Sequence, residues 1–352
     1  MRTLLSSAAL SLTVVTLLLV LAADGPAGAQ SVADFYRGKE VRLIIAASTG
    51  GGYDTYGRTV ARHLGDHIPG KPTVVPQNMP AAGGLGAANN LFNVVPKDGT
   101  VISLFQNTVP LEPFFENKQA QFDAAQFGWL GTPTTEVAMY MVWHTSKIRT
   151  LKDAQTSDFV AGAAGAASTP AFYGRVFNQL FNFKARFIVG YPGQNEILHA
   201  LEAGEVEAMA SPFWSSLKTS RPAWYKEGKI RFLFQYGGSD PHPELKDVPL
   251  ALDLLQTEAD KTLLVVAAAP LGLGRPFGAP PGIPADRLAA LRTAMMTTFR
   301  DPAFLADCAK QRLECADPKS GEELSTLVSR AYSAPADVRK RLIGMYQAGT
   351  AK

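Results

Sequence analysis

The stretch Val41-Arg42-Leu43-Ile44-Ile45-Ala46-Ala47-Ser48-Thr49-Gly50-Gly51-Gly52-Tyr53-Asp54 decides how the rest of this chain is read. An apolar run of strand length ends in small residues and three glycines, and Tyr56, Val60, Ala61 and Leu64 then recur at helical spacing. The glycines therefore join a strand end to a helix start. The first N–H groups of a helix have no internal partners, and glycine lets a ligand approach the backbone closely, so such a turn is an anion holder. Nucleotide phosphates fit it poorly. No Lys-Ser or Lys-Thr closes the glycines, and Thr55 stands where a dinucleotide fold needs its third glycine. Asp54, at the helix start, reads as a cap or first-turn acid.

Two more small-residue turns follow, Pro80-Ala81-Ala82-Gly83-Gly84-Leu85-Gly86 and Ala161-Gly162-Ala163-Ala164-Gly165-Ala166-Ala167-Ser168-Thr169-Pro170. Each leads from a strand-like run into a helical pattern. In the second, Ser168 or Thr169 would cap a helix with Pro170 in its first turn. Strand candidates are Val41–Ala46, Thr73–Pro76, Val101–Phe105, Phe159–Ala161, Arg186–Val189, Ala208–Ala210, Arg231–Gln235 and Leu263–Ala268. Helical patterns alternate with them. This alternation predicts mainly parallel sheets flanked by helices. Eight strands spread so widely predict two α/β lobes: one from 31–130 plus 263–352, the other from 131–262, joined by two crossings. Strand-to-helix turns lie at the carboxyl ends of parallel strands, where ligands bind. Two of them facing across a cleft suit a ligand with a carboxylate at one or both ends.

The N-terminus carries Arg2, an uncharged apolar run from Leu10 to Ala23, and the small-x-small site Ala27-Gly28-Ala29. This is the pattern of a secretory signal peptide over 1–29, with Gln30 the first mature residue. The run is short for a membrane span of about twenty residues. The chain has 352 residues, 46% of them hydrophobic, and a net charge of +3 with no basic cluster. Nucleic acid is thus not an expected partner. Its two cysteines, Cys308 and Cys315, can bridge if a helix ends near Arg312 and the chain doubles back. Two buried thiols are the alternative.

Catalytic patterns are thin. His63 and His67 share a helix face at i,i+4, but the sequence His-Leu-Gly-Asp-His lacks the glutamate of a zincin, so a solvated face is expected and no metal. There is no Gly-x-Ser-x-Gly elbow. Glu205 and Glu207 flank Val206 and point to opposite sides. Met139, Tyr140 and Met141 read as core, and Phe213 or Trp214 as a border of the cleft.

The Ser48–Asp54 loop, the Pro80–Ala88 loop, Pro96-Lys97-Asp98-Gly99-Thr100, Gly190-Tyr191-Pro192-Gly193, Leu201-Glu202-Ala203-Gly204-Glu205-Val206-Glu207 and Pro280-Pro281-Gly282-Ile283-Pro284-Ala285 occur in the order seen in one receptor family. In them the chain resembles the Bug-type substrate-binding receptors of tripartite tricarboxylate transporters, from about Phe35 to Leu327. The resemblance implies a two-lobed type II periplasmic binding protein, a Venus flytrap that performs no chemistry and needs no cofactor. Its partners would be a small mono-, di- or tricarboxylate, aromatic ones included, and the membrane transporter subunits. A monomer located in the periplasm is implied. Ser48, Thr49, Gly51, Gly52 and Tyr53 would hold one carboxylate. Ala166, Ser168 and Thr169 would hold the other end, Gln106, Asn107 and Thr108 would form a side wall, and Ser211 would add a contact. The chain departs from the family in having Ser48-Thr49 where Pro-Gly or Pro-Pro is common, and in lacking an acid near Ser211-Pro212-Phe213-Trp214. A sensor for a membrane kinase and an exported α/β enzyme are the alternatives.

Overall fold

The computed structural model describes residues 30–165, 168–238 and 240–348; the expected signal peptide lies outside them. Eleven strands are present among the described residues: β1 (Glu40–Ile45), β2 (Thr73–Asn78), β3 (Val101–Leu104), β4 (Gly128–Thr132), β5 (Ala138–Trp143), β6 (Phe159–Ala163), β7 (Ala185–Val189), β8 (Ala208–Met209), β9 (Ile230–Tyr236), β10 (Phe277–Ala279) and β11 (Lys319–Ser320). They form two sheets, in the orders β11-β4-β10-β3-β1-β2 and β7-β6-β8-β5-β9. β1 runs parallel to β2 and β3, and β6 to β7 and β8. The pairings of β10, β11, β5 and β9 are antiparallel, so each sheet is mixed rather than mainly parallel.

Strands covered on both faces must be apolar on both faces, which is why the end of β1 from Leu43 and all of β5 read as continuous runs. Leu43 and Ile45 pack with Tyr56, Val60 and Leu64 on one face of the first sheet, while Ile44 and Ala46 meet Leu91, Phe105 and Trp129 on the other. In the second sheet Tyr140 and Val142 join Phe172, Phe177 and Phe234, and Met139 and Met141 join Ile197, Leu201 and Met209. Each such side chain, wholly buried, is worth roughly 1.5–3 kcal/mol.

Two expectations change. The run Leu263–Ala268 is the last half of a helix, Glu258–Ala268. Leu263, Leu264 and Ala267 are buried while Val265 is exposed, a helical pattern that an apolar stretch conceals. This helix and the C-terminal helix Ala336–Ala348 pack in the core of the second sheet, not with the first lobe. The chain therefore passes between the sheets three times: after β4, before β10, and between the helices Gly321–Tyr332 and Ala336–Ala348. The first two passages lie side by side, with Glu136 N–H donating to Leu271 O at 3.1 Å. Gly274 sits there at φ +57°, and a Cβ on it would lie 1.8 Å from Thr134 O, so only glycine fits.

The helix Pro302–Lys310 ends as expected, and Cys308 and Cys315 form a disulfide with Cα atoms 6.5 Å apart. The i,i+4 histidines turn toward this helix: His63 Nε2 lies 3.1 Å from Asp307 Oδ2, and His67 Nε2 lies 2.7 Å from Asp301 Oδ2. Their spacing serves helix packing.

Candidate functional site

A cleft lies where the carboxyl ends of strands from both sheets face one another. It encloses about 40 Å³ and is partly open to solvent. The first wall is the turn that follows β1. Gly51 takes the N-cap in an extended conformation, and the helix Gly52–His67 begins after it. Asp54 braces the turn from within, as a first-turn acid. Its Oδ2 accepts from Gly50 N–H at 2.9 Å, and its Oδ1 accepts from Arg58 Nε at 2.9 Å and Asn78 Nδ2 at 2.8 Å. Its charge is thus spent inside the loop, and Gly51, Gly52 and Tyr53 face the cleft with Ser48 and Gln106. Burial pushes the Tyr53 hydroxyl up to about 12, so it stays neutral.

The second wall is made of Thr169 and Pro170 at one helix start, Gly193 and Gln194 at another, Met209 at the end of β8, and Ser211 and Phe213 after it. The walls meet at several points. Ser48 Oγ donates to Glu196 Oε2 at 3.1 Å, Thr169 Oγ1 donates to Asn107 Oδ1 at 3.1 Å, and the Tyr53 and Phe213 rings lie 6.2 Å apart. A Cβ on Gly52 would stand 1.9 Å from Ser216 Oγ. That glycine is needed for the approach of the two walls, whereas a Cβ on Gly51 would meet only Gln194 Cβ at an ordinary 3.8 Å.

Of the residues singled out from the sequence, Ser48, Gly51, Gly52, Tyr53, Gln106, Thr169 and Ser211 line this cleft. Four do not. Thr49 is exposed beside it. Asn107 is wholly buried, its N–H donating to Tyr53 Oη at 3.0 Å and its Nδ2 to Pro270 O at 3.1 Å. Thr108 is buried 3.4 Å from Thr169 Oγ1. The Ser168 hydroxyl donates to Gly165 O at 2.7 Å, a local turn bond. Ala166 lies outside the described residues. Phe213 borders the cleft, while Trp214 turns away to donate to Glu244 at 2.6 Å.

Sequence reasoning missed Gln194, although its turn, Gly190–Gly193, is a fourth small-residue entry to a helix. It also missed Arg275. This residue comes from the passage before β10 and is wholly buried behind the cleft. Its Nε donates to Glu136 Oε1 at 2.6 Å, and its Nη2 to Ser215 Oγ at 3.2 Å and Ser216 Oγ at 2.5 Å. The guanidinium lies over Tyr53, Tyr56 and Phe213 at 4.3, 4.8 and 4.7 Å from the ring centres. Burial opposes its charge, but the Glu136 carboxylate together with Tyr53 and Tyr56 outweighs that and raises its hold on the proton. No spacing announces such a residue, since its partners come from distant segments.

The lining holds no charged side chain among the described residues, and no histidine or cysteine. A group that could ligate a metal, His242, Glu244 and Glu314, lies elsewhere, and there Lys218 Nζ donates to both carboxylates at 2.5 Å. No described helix is long and apolar enough to cross a membrane.

No protein-family model and no curated protein sequence matches the chain. Solved structures do. The periplasmic binding protein BugD is 16% identical with a TM-score of 0.70, covering 90% of this chain and 99% of that one. MatC from Rhodopseudomonas palustris, solved with malate, is 19% identical at a TM-score of 0.69, over 86% and 99% of the two chains. A further R. palustris protein, solved with adipate, is 17% identical at 0.65, over 87% and 98%. The chain therefore has the two-lobed α/β fold of type II periplasmic binding proteins such as BugD and MatC.

Proposed function

We propose that this chain is an extracytoplasmic solute receptor of the Bug type, which holds a small organic carboxylate between its lobes and hands it to a tripartite tricarboxylate-type membrane transporter. One observation carries the reading: the start of the helix Gly52–His67 is braced by a neutralised Asp54 and faces a cleft with no charged lining. Backbone N–H groups and the helix dipole hold an anion there without a cation clamp. The cleft residues offer hydrogen bonds and apolar surface but no general base, nucleophile or metal ligand set, which supports reversible binding without turnover. MatC, solved with malate, and the adipate-bound R. palustris protein, which share this fold, support the carboxylate class, and BugD, a periplasmic binding protein of the same fold, supports the receptor role. Export by the 1–29 leader, a periplasmic location and a monomeric state belong to the same proposal, and mature protein should begin at or near Gln30.

A thermal-shift screen of mono-, di- and tricarboxylates tests it, because a ligand bound only by the folded state raises the melting temperature by mass action. A rise with at least one carboxylate, without its consumption, is expected. A rise with sugars or amines alone would end the carboxylate reading, and loss of substrate over time would end the receptor reading. Uptake restored in a receptor-deficient transporter background would establish delivery.

A further inference from the structure

The two walls differ in the charge they can accept. Resting on the carboxylate-receptor reading above, we propose that the ligand is a monoanion: one carboxylate at Gly51–Tyr53, and at the far end a neutral hydrogen-bond acceptor such as a ketone, received by Gln194 and Ser211.

Three observations point away from a second carboxylate. The helix start that faces the cleft at Thr169 has Pro170 as its second residue, which has no N–H to offer. The helix Gln194–Ala203 also starts at the cleft, but its third residue is Glu196. That carboxylate reaches Ser48 Oγ at 3.1 Å and has no ion-pair partner among the described residues, unlike Asp54, which is tied to Arg58. A negative charge that already occupies this helix start, at the edge of a partly desolvated cleft, opposes the arrival of a second one. Finally, the cation behind the cleft, Arg275, is already committed to Glu136.

Two further observations define what the far wall does accept. Gln194 Nε2 is buried and lacks any hydrogen-bond partner, and the buried Ser211 Oγ has only the Tyr236 hydroxyl nearby. Both line the cleft beside Ile197, Met209 and Phe213. A buried donor without an acceptor is costly and calls for one on the ligand. The amide supplies only donors at that nitrogen, so the ligand group must be an acceptor. Apolar walls around it suit an uncharged carbonyl on an aliphatic or aromatic body.

Calorimetric titration with valerate, levulinate and glutarate tests this. These acids share one chain length and differ at the far end: methyl, ketone or carboxylate. Levulinate should bind tightest at neutral pH, with valerate and glutarate each weaker by about tenfold. Gln194→Leu should bring levulinate down to the level of valerate, and Glu196→Gln should narrow the gap between glutarate and levulinate. Glutarate binding as tightly as levulinate, or levulinate indifferent to Gln194→Leu in a variant whose melting temperature is normal, would overturn the inference while leaving the carboxylate reading intact. Failure of all three acids, with no other carboxylate binding either, would overturn both.

Discussion

One wall of the cleft, Ser48–Tyr53, presents main chain; the other, from Gln194 to Phe213, presents side chains. The first is braced by an acid whose charge is matched by Arg58 and Asn78, and the second carries an acid, Glu196, with only a hydroxyl for company. Main-chain amides recognise any carboxylate and so supply affinity for a class. Side chains in an apolar setting distinguish members of that class, because an unmatched polar group there is expensive. On the proposed receptor reading, the contrast would assign recognition of the anion and selection among anions to different lobes, brought together as the cleft narrows.

The most severe way to break this arrangement is at the point where the walls join. Arg275→Met leaves Glu136 buried without its counter-charge and removes the stack on Tyr53 and Phe213. A loss of about 3–5 kcal/mol is expected in urea unfolding. The double variant Arg275→Met with Glu136→Leu should regain much of it, and if it does not, the pair acts through something other than charge.

Next comes a titration that separates stability from binding. Glu112 lies at the back of the molecule, where its Oε2 accepts from Asn117 Nδ2 at 2.7 Å and from Tyr346 Oη at 2.5 Å on the C-terminal helix. Burial pushes its carboxyl up to about 7. A folded pKa above the unfolded 4.5 means that the folded state holds the proton more tightly. This contribution is complete below the unfolded pKa and is lost as pH rises through about 7. Its span is roughly 3–4 kcal/mol. Glu112→Gln should flatten that slope. Affinity for levulinate should stay level from about pH 6 to about pH 9, since Tyr53 remains neutral there. Affinity that follows the stability curve would tie the back of the molecule to the cleft.

Gly52→Val and Gly51→Ala sharpen the account of the main-chain wall. A side chain at Gly52 collides with Ser216 across the cleft, so closure should cost about 1–3 kcal/mol and binding should fall about tenfold to hundredfold. Gly51→Ala meets only an ordinary contact with Gln194 and should change affinity by less than about threefold. Equal effects at both sites would mean that contact with the ligand, not the approach of the walls, sets the need for glycine.

The smallest effect separates two neighbours. Ser168→Ala deletes a turn bond to Gly165 and should cost about 1 kcal/mol of stability with affinity intact. Thr169→Ala, whose hydroxyl bridges to Asn107 across the walls, should weaken binding a few-fold. A loss of affinity from Ser168→Ala would restore that hydroxyl to the cleft.

Much of this molecule was readable in its residues. The turn at Gly50–Gly52, the alternation of strands and helices, and the two apolar faces of β1 follow from local rules: periodicity, the freedom of glycine and the empty N–H groups of a helix start. The same rules misassigned Leu263–Ala268, because an apolar run carries no mark of its period until its neighbours are known. They also placed Ser168 and Thr169 together in the cleft. In a helix start, one hydroxyl turns back to its own chain and the next reaches outward, and packing decides which. The Arg275–Glu136 pair, the third passage between the sheets and the meeting of Gln194 with Gly51 join segments more than a hundred residues apart or at the end of the chain. Local propensity acts over a few residues, whereas burial, ion pairing and closure depend on which distant segments share a space, and only the tertiary structure decides that.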